Sequence, residues 1–149
     1  MWNLFDPSDR KSILDRISRL SPSATRKWGK MTPAQAMAHL SIAMEGAGGE
    51  GKQEQALLGK IVTPLILWKV TDETPFAHNA PTDPTFVVRD DKDFEKERAR
   101  LVAAIGRFCD GGPQRAVRSV HPFFGSLAAD QWGRLTFKHV DHHLRQFGG

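Results

Sequence analysis

Histidine is the residue type whose spacing in this sequence suggests chemistry. Three of the six histidines lie in the stretch FKHVDHHLRQ, residues 137–146. Because each residue of a helix turns by about 100°, His139 and His143 would lie one turn apart on one face, with His142 at its edge. Imidazoles at positions i and i+4 can present two nitrogen ligands to one metal ion. The alternative is that these histidines are buried polar residues that only hydrogen-bond to their neighbours.

The same rotation predicts which residues of this helix face the solvent. The inward sector holds the two histidines together with Trp132, Leu135, Thr136 and Gln146. The outward sector, which we expect to be exposed, holds the charged residues Arg134, Lys138, Asp141 and Arg145.

A third histidine, His39, lies on an earlier predicted helix. Small residues, Ala36, Ala43 and Gly46, surround it on that helix face and leave space beside the imidazole. Taken alone, His39 is equally well explained as a contact between helices. Taken with the later pair, it predicts a metal site made of His39, His139 and His143.

Other polar residues are candidates for supporting roles around this site. Gln35 and Gln146 each lie about one turn from a predicted ligand and could orient an imidazole through its second nitrogen, although both also suit an ordinary helix surface. His142 suits a general base, a substitute ligand or a surface residue. In HPFFG, residues 121–125, His121 could contact a substrate at a pocket rim, or the loop could be an apolar plug.

Helical periodicity accounts for most of the chain, and no strand alternation stands out. The first helix is predicted to start at Asp6, and the second at Thr32 with Gln35 as capping-box partner. A long crossover follows, with a helical segment that Pro64 should kink or break. A third long helix starts near residue 89 and ends at CDGGPQ, residues 109–114, and the last starts between residues 126 and 129. The prediction is an all-α, up-down four-helix bundle with a long crossover between its second and third main helices.

The composition bounds the class of protein. At 149 residues the chain suits a single domain, residues 1–149. The net charge of +4 comes from basic residues interleaved with acids, which argues against a nucleic-acid partner. One cysteine excludes an internal disulfide and favours a cytoplasmic setting. The start lacks the pattern of a signal peptide, and we expect no membrane span.

Two segments carry a resemblance to a known group of proteins. The stretch WGKMTPAQAMAHL, residues 28–40, and the stretch from HPFFG to the C-terminal FG, residues 121–148, resemble the DinB/YfiT-like superfamily, in a branch described as a domain of unknown function. The resemblance implies a four-helix bundle that holds a divalent metal ion through three histidines. Those positions are His39, His139 and His143 here. Relatives include S-transferases and isomerases that use low-molecular-weight thiols, and some hydrolases.

Two functional hypotheses follow. Three neutral imidazoles suit a transition metal such as Zn²⁺ or Ni²⁺, and three protein ligands leave a position for water or substrate. The first hypothesis is therefore a metal-dependent S-transferase or hydrolase that activates a thiol co-substrate or water on a small molecule. The second is a non-catalytic bundle that binds a partner or forms a homodimer, with its histidines buried and separated.

Overall fold

Five α-helices make up most of the part of the chain that the structure describes. The computed structural model of the chain describes residues 1–51, 54–80 and 82–149. Its elements are α1 (Pro7–Arg19), α2 (Pro33–Ala47), α3 (Leu57–Thr71), a 3-10 turn (Pro84–Phe86), α4 (Phe94–Ala116), β1 (Val120–His121), β2 (Gly125–Ser126) and α5 (Ala129–Gln146). The mostly helical class agrees with the prediction. Gln53 and Pro81, in the predicted crossover, lie outside the described residues.

The first two helices begin where their capping residues predict. The Asp6 carboxylate accepts hydrogen bonds from the amides of Ser8 and Asp9 at the start of α1. At the start of α2 the Thr32 hydroxyl accepts from the Gln35 amide at 3.1 Å, and the Gln35 side chain accepts from the Thr32 amide at 3.0 Å. Such caps contribute about 1 kcal/mol each to stability, so both predicted starts are confirmed.

The core lies where α2, α4 and α5 meet. The large side chains at its centre are fully or almost fully buried, and they come from all three helices: Met37, Leu40, Leu101, Ile105, Phe108, Trp132, Val140 and Leu144. Burial of each such side chain contributes roughly 1.5–3 kcal/mol. Because α2 is buried on most of its circumference, a polar residue in its middle has to find its partners inside the protein.

The face of α5 that was predicted to be exposed is largely covered, so that prediction is wrong for two residues. Lys138 is 9% exposed, and its ammonium group donates to the carbonyl of Lys69 and the carboxylate of Asp72 at 2.9 Å. Asp141 is 7% exposed and pairs with Arg16 of α1 at 2.7 Å. The end of α3 and the side of α1 therefore cover this face, and neither contact is visible from the periodicity of α5 alone.

Helix α3 continues through Pro64, so the predicted break does not occur. Pro64 lies on the exposed side of the helix, and the Lys60 carbonyl that loses its helical donor there can bind water instead. Large apolar residues on this side are exposed as well: Leu57, Leu58, Ile61, Leu65 and Trp68. The helix packs against α5 and the hairpin through its other side.

Helix α4 begins at Phe94, a few residues after its predicted start near residue 89, and extends beyond its predicted end. The Asp93 carboxylate accepts from the Lys96 amide at 2.8 Å. The CDGGPQ stretch interrupts the helix instead of ending it, because Gly112 adopts φ +71° and Pro113 then starts a further turn that runs to Ala116. A positive φ of this size is available to glycine at little cost, which makes Gly112 the position of the interruption.

A short antiparallel hairpin before α5 is an addition to the predicted all-α fold. Val120 lies opposite Ser126 and His121 opposite Gly125. With two residues in each strand, the hairpin is too short for an alternating pattern to appear in the sequence. It fixes the position of His121. Within the described parts of the chain, no helix has the length and apolar character needed to cross a membrane.

Candidate metal centre

The three predicted histidines converge between α2 and α5. His39 lies in the middle of α2, while His139 and His143 lie one turn apart on the face of α5 that packs against it. The ring centroids are 5.0 Å apart for His39 and His139, 4.7 Å for His39 and His143, and 5.2 Å for His139 and His143. One nitrogen of each imidazole lies within 4.8 Å of the others. Two helices that are a hundred residues apart in sequence thus form one cluster.

The hydrogen bond from His39 determines which of its nitrogens faces the cluster. His39 Nδ1 lies 2.8 Å from the carbonyl oxygen of Phe86, in the 3-10 turn. Because a carbonyl can only accept, Nδ1 carries the hydrogen and Nε2 keeps its lone pair. That Nε2 lies 2.9 Å from Nε2 of His139. The Phe86 carbonyl therefore orients His39 for binding a metal ion. Metal-binding histidines usually have such a hydrogen-bond partner at their second ring nitrogen.

Gln146 orients His143 by the same logic. Its amide nitrogen donates to the carbonyl of Trp28 at 2.8 Å, so its oxygen is the atom 2.9 Å from His143 Nδ1. His143 Nδ1 must then donate, which leaves Nε2 free to bind a metal ion. Gly29 makes this approach possible, because it adopts φ +75° and a Cβ there would lie 2.5 Å from the Gln146 amide nitrogen.

All three imidazoles are held in the neutral form that binds metals. Burial lowers the pKa of His39, and the hydrogen bond to Phe86 only partly opposes this effect. Burial lowers the pKa of His143 to about 3, with His39 acting in the same direction. Burial, followed by the proximity of His39 and His143, lowers the pKa of His139 well below 6.5. A second positive charge would be costly in this cluster, so near neutral pH the lone pairs are available.

The cluster fits a transition metal ion in donor type and size. Zinc–imidazole bonds of about 2.0–2.1 Å require ligand nitrogens within roughly 4 Å of one another. The candidate ligand nitrogens of the three histidines all lie within 4.8 Å of one another, which is less than 1 Å above this value. His39 and His139 already meet the requirement at 2.9 Å. Within the described residues no carboxylate belongs to this cluster, and a purely imidazole donor set favours Zn²⁺, Ni²⁺, Fe²⁺ or Cu²⁺ over Mg²⁺ or Ca²⁺.

A small, partly open cleft adjoins His139. Its volume is about 20 Å³, and its walls include Met44, Phe86, His121, Trp132 and Thr136. His121 therefore lies beside the cluster but not in it. Its Nδ1 accepts hydrogen bonds from the amides of Phe123 and Phe124 at 3.1 and 3.0 Å. His121 and Pro122 of HPFFG line the cleft, whereas Phe123 and Phe124 are not among its lining residues.

His142 lies outside the cluster, in a separate aromatic group. Its ring centroid is 5.1 Å from that of His143, 5.5 Å from that of Trp28 and 5.9 Å from that of Phe76. His78 also belongs to this group and stacks on Trp28 with centroids 3.7 Å apart; no pattern in the sequence points to it. Burial, then the proximity of His78, lowers the pKa of His142. This group closes one side of the cluster next to His143.

Gln35 does not contact any of the three imidazoles. Its side chain is used at the start of α2, where it accepts from Thr32 and donates to the carbonyls of Arg89 and Asp90 at 3.3 and 3.2 Å. The capping role therefore explains Gln35, and the ring of His39 is oriented by Phe86 instead. A backbone carbonyl from a distant turn carries no sequence signal, which is why Phe86 was missed.

Replacing Gln146 by methionine is expected to weaken zinc binding by about 10- to 100-fold, the usual effect of losing a hydrogen bond that orients a ligand. Methionine keeps the length of the side chain but cannot accept from His143 Nδ1. Competition with a fluorescent zinc chelator measures the affinity. Gln35→Met is the matched control, since it removes a glutamine that has no hydrogen bond to the three imidazoles. Equal losses in both variants would contradict the orienting role.

The structure defines a mostly helical protein with a group of three histidines, two buried and one partly buried, that can hold a metal ion. Residues 5–148 match a family model described as "Protein of unknown function (DUF1569)", and the chain belongs to this family. Comparison with curated proteins and with solved structures gave no match.

The geometry also bears on the non-catalytic hypothesis. That hypothesis predicts imidazoles that are separated in space, or packed against apolar groups with no cavity beside them. The three ring centroids instead lie between 4.7 and 5.2 Å from one another, and a cleft opens beside His139. Both features favour a ligand-binding site over a group of polar core residues that only fill space.

Proposed function

We propose that the protein is a metal-dependent enzyme in which His39, His139 and His143 hold one divalent transition metal ion. The observation that carries this proposal is the pair of oriented rings. His39 donates from Nδ1 to Phe86 and His143 donates from Nδ1 to Gln146, so both Nε2 lone pairs are directed away from those partners. A polar core that only satisfied its own hydrogen bonds would have no need for such an arrangement.

A divalent ion bound at this site would act as a Lewis acid, which lowers the pKa of a coordinated water or thiol towards neutrality. The residues of the chain have the complementary tasks. The three imidazoles leave coordination positions for reactants, the Phe86 carbonyl and Gln146 keep the rings in place, and the apolar walls of the cleft, including Met44, exclude bulk water.

We further propose that α1, α2, α4 and α5 form a four-helix bundle of the DinB/YfiT-like type. Packing of α2 on α4, of α1 on α5, and of α5 on both α2 and α4 supports this arrangement. Helix α3 would then be an addition within the long crossover. The position of one ligand on the second helix and two on the last supports the same relationship.

The reaction proposed on this basis is thiol transfer or hydrolysis on a small molecule. Cys109 is not positioned as an internal nucleophile, because its thiol donates to the carbonyl of Leu4 and burial raises its pKa. A thiol reactant would therefore come from solution as a low-molecular-weight co-substrate. The two reactions are separable by experiment, since transfer consumes one free thiol per turnover and hydrolysis consumes none.

The test of the metal proposal is elemental analysis of tag-free protein. We expect about one zinc or nickel ion per chain after dialysis against the metal, loss of the ion with a chelator, and recovery on reloading. An ion present at a thousand times its dissociation constant should stabilise the fold by about 4 kcal/mol, which thermal unfolding with and without chelator measures. Less than about a tenth of an ion per chain after reloading, with unchanged thermal unfolding, would refute the proposal.

A further inference from the structure

His121 is held as a hydrogen-bond donor towards the cleft. The amides of Phe123 and Phe124 both donate to its Nδ1, at 3.1 and 3.0 Å. An Nδ1 that accepts two N–H groups cannot carry a hydrogen itself, so the neutral ring carries its hydrogen on Nε2. Burial lowers the pKa of His121 to about 4, which keeps the ring neutral near pH 7. Nε2 has no hydrogen-bond partner among the described residues.

Trp132 supplies a second donor next to this ring. Its side chain is 2% exposed, and its indole Nε1 is buried without a hydrogen-bond partner in the described part of the chain. The ring centroids of Trp132 and His121 lie 5.8 Å apart. A buried donor without a partner is destabilising, so its presence on the wall of a cleft is a reason to expect a ligand there.

The cleft brings these two donors together with His139. Its other walls are apolar, or have polar groups already used in hydrogen bonds: Ala43, Met44, Ala47, Phe86, Leu135 and Thr136. No lysine, arginine or carboxylate is among the residues that line it. Two neutral N–H donors in apolar surroundings suit an uncharged oxygen acceptor better than a carboxylate or phosphate, which proteins usually match with cationic groups.

We infer that Nε2–H of His121 and Nε1–H of Trp132 bind the carbonyl oxygen of a small, otherwise apolar molecule beside His139. The substrate class is thus a carbonyl compound, and this assignment rests on the proposed function because His139 is one of the three proposed metal ligands. The volume of about 20 Å³ takes one oxygen atom, since a water-sized probe needs at least about 10–15 Å³. The rest of the molecule would lie towards the open side of the cleft.

The test observes both donors directly, by nitrogen-15 NMR of the full chain loaded with zinc and of the metal-free chain. Cyclopentanone is the probe. We expect His121 to show its hydrogen on Nε2, and we expect saturable shifts of the His121 Nε2 and Trp132 indole signals as the ketone is added. A hydrogen on Nδ1 of His121, or two signals that stay in place up to the solubility limit of the ketone, would overturn the inference.

Three variants separate the donor role from a structural one. His121→Asn keeps an acceptor for the amides of Phe123 and Phe124 but removes the donor at Nε2. Trp132→Phe removes the indole N–H together with one ring, so thermal unfolding of this variant is measured alongside ketone binding. Each should weaken ketone binding by roughly 3- to 10-fold, the worth of one hydrogen bond. Trp68→Phe is the matched control, because the exposed Trp68 indole donates to the carbonyl of Leu65. It should leave ketone binding unchanged.

The remaining outcomes are also decisive. Variants that bind the ketone as well as the unsubstituted chain would overturn the inference, as would an ordered water that the ketone does not displace. Zinc stoichiometry is measured separately on the same samples. Ketone-dependent shifts without zinc binding would support the donor pair while refuting the metal proposal, whereas zinc binding without shifts would refute the donor pair alone.

Discussion

Replacing His143 by alanine is expected to lower the affinity of the protein for zinc by about a thousandfold. Zinc bound in small protein sites is stabilised by about 10–16 kcal/mol, so the loss of one of three protein ligands should cost roughly 4 kcal/mol, or three powers of ten. His143 is a sensitive position because its ring is buried and already oriented by Gln146. Competition with chelators of graded affinity measures the change.

The control for this experiment is the neighbouring residue in the sequence. His142→Ala removes an imidazole whose ring centroid lies 5.1 Å from that of His143 but which is not a member of the three-histidine cluster. It should change zinc affinity by less than about 10-fold, the low end of the range for groups outside the ligand set. Equal losses in both variants would mean that His142 contributes to zinc binding as much as His143 does, which would contradict the proposed set of three ligands.

Much of the candidate site was predictable because helical rotation is local. The spacing of His139 and His143 places them on one face whatever surrounds the helix, and the small residues around His39 leave room for an imidazole. The meeting of His39 with the pair depends on how two helices a hundred residues apart pack together. The residue pattern suggested that grouping, and the resemblance to a known group of proteins implied the same three residues.

The parts that could not be predicted depend on contacts made by distant backbone. The carbonyl of Phe86 orients His39, and the carbonyl of Trp28 fixes the orientation of Gln146; carbonyls are present at every residue and carry no sequence signal. Lys138 and Asp141 were expected in solvent because charged residues on a helix usually are. They are buried because α3 and α1 bring partners to them.

Helix α3 is a further case in which the sequence pattern did not predict burial: here apolar residues that were expected to be buried are exposed. Apolar periodicity usually indicates a helix face that packs on the core. The helical spacing of the apolar side chains in residues 56–66 therefore predicted a helix with a buried apolar face. In the structure Ile61 is 69% exposed and Leu65 is 72% exposed, while Gly59 packs against the Phe123 carbonyl of the hairpin. A glycine contact, which has no hydrophobic signal, therefore determines which side of α3 faces the protein.

The metal-free protein is expected to lose stability as the pH falls from 7.5 to 5.0. His143 has a folded-state pKa of about 3, against 6.5 for an ordinary histidine. Between these two values the unfolded chain binds the proton and the folded chain does not, so the free energy of unfolding decreases as the pH falls below about 6.5. At pH 5.0 this one residue should account for a loss of about 2 kcal/mol, and His39 and His139 act in the same direction.

Urea unfolding in the presence of a chelator, at pH 7.5 and at pH 5.0, measures this loss. His143→Gln removes the titrating group and should make the pH dependence smaller by about 2 kcal/mol. An unfolding free energy that is the same at both pH values in the unsubstituted chain would contradict a cluster of three buried, neutral imidazoles. Such a result would imply that the rings reach solvent and take up protons in the folded state, since only groups with equal pKa values in both states leave stability independent of pH.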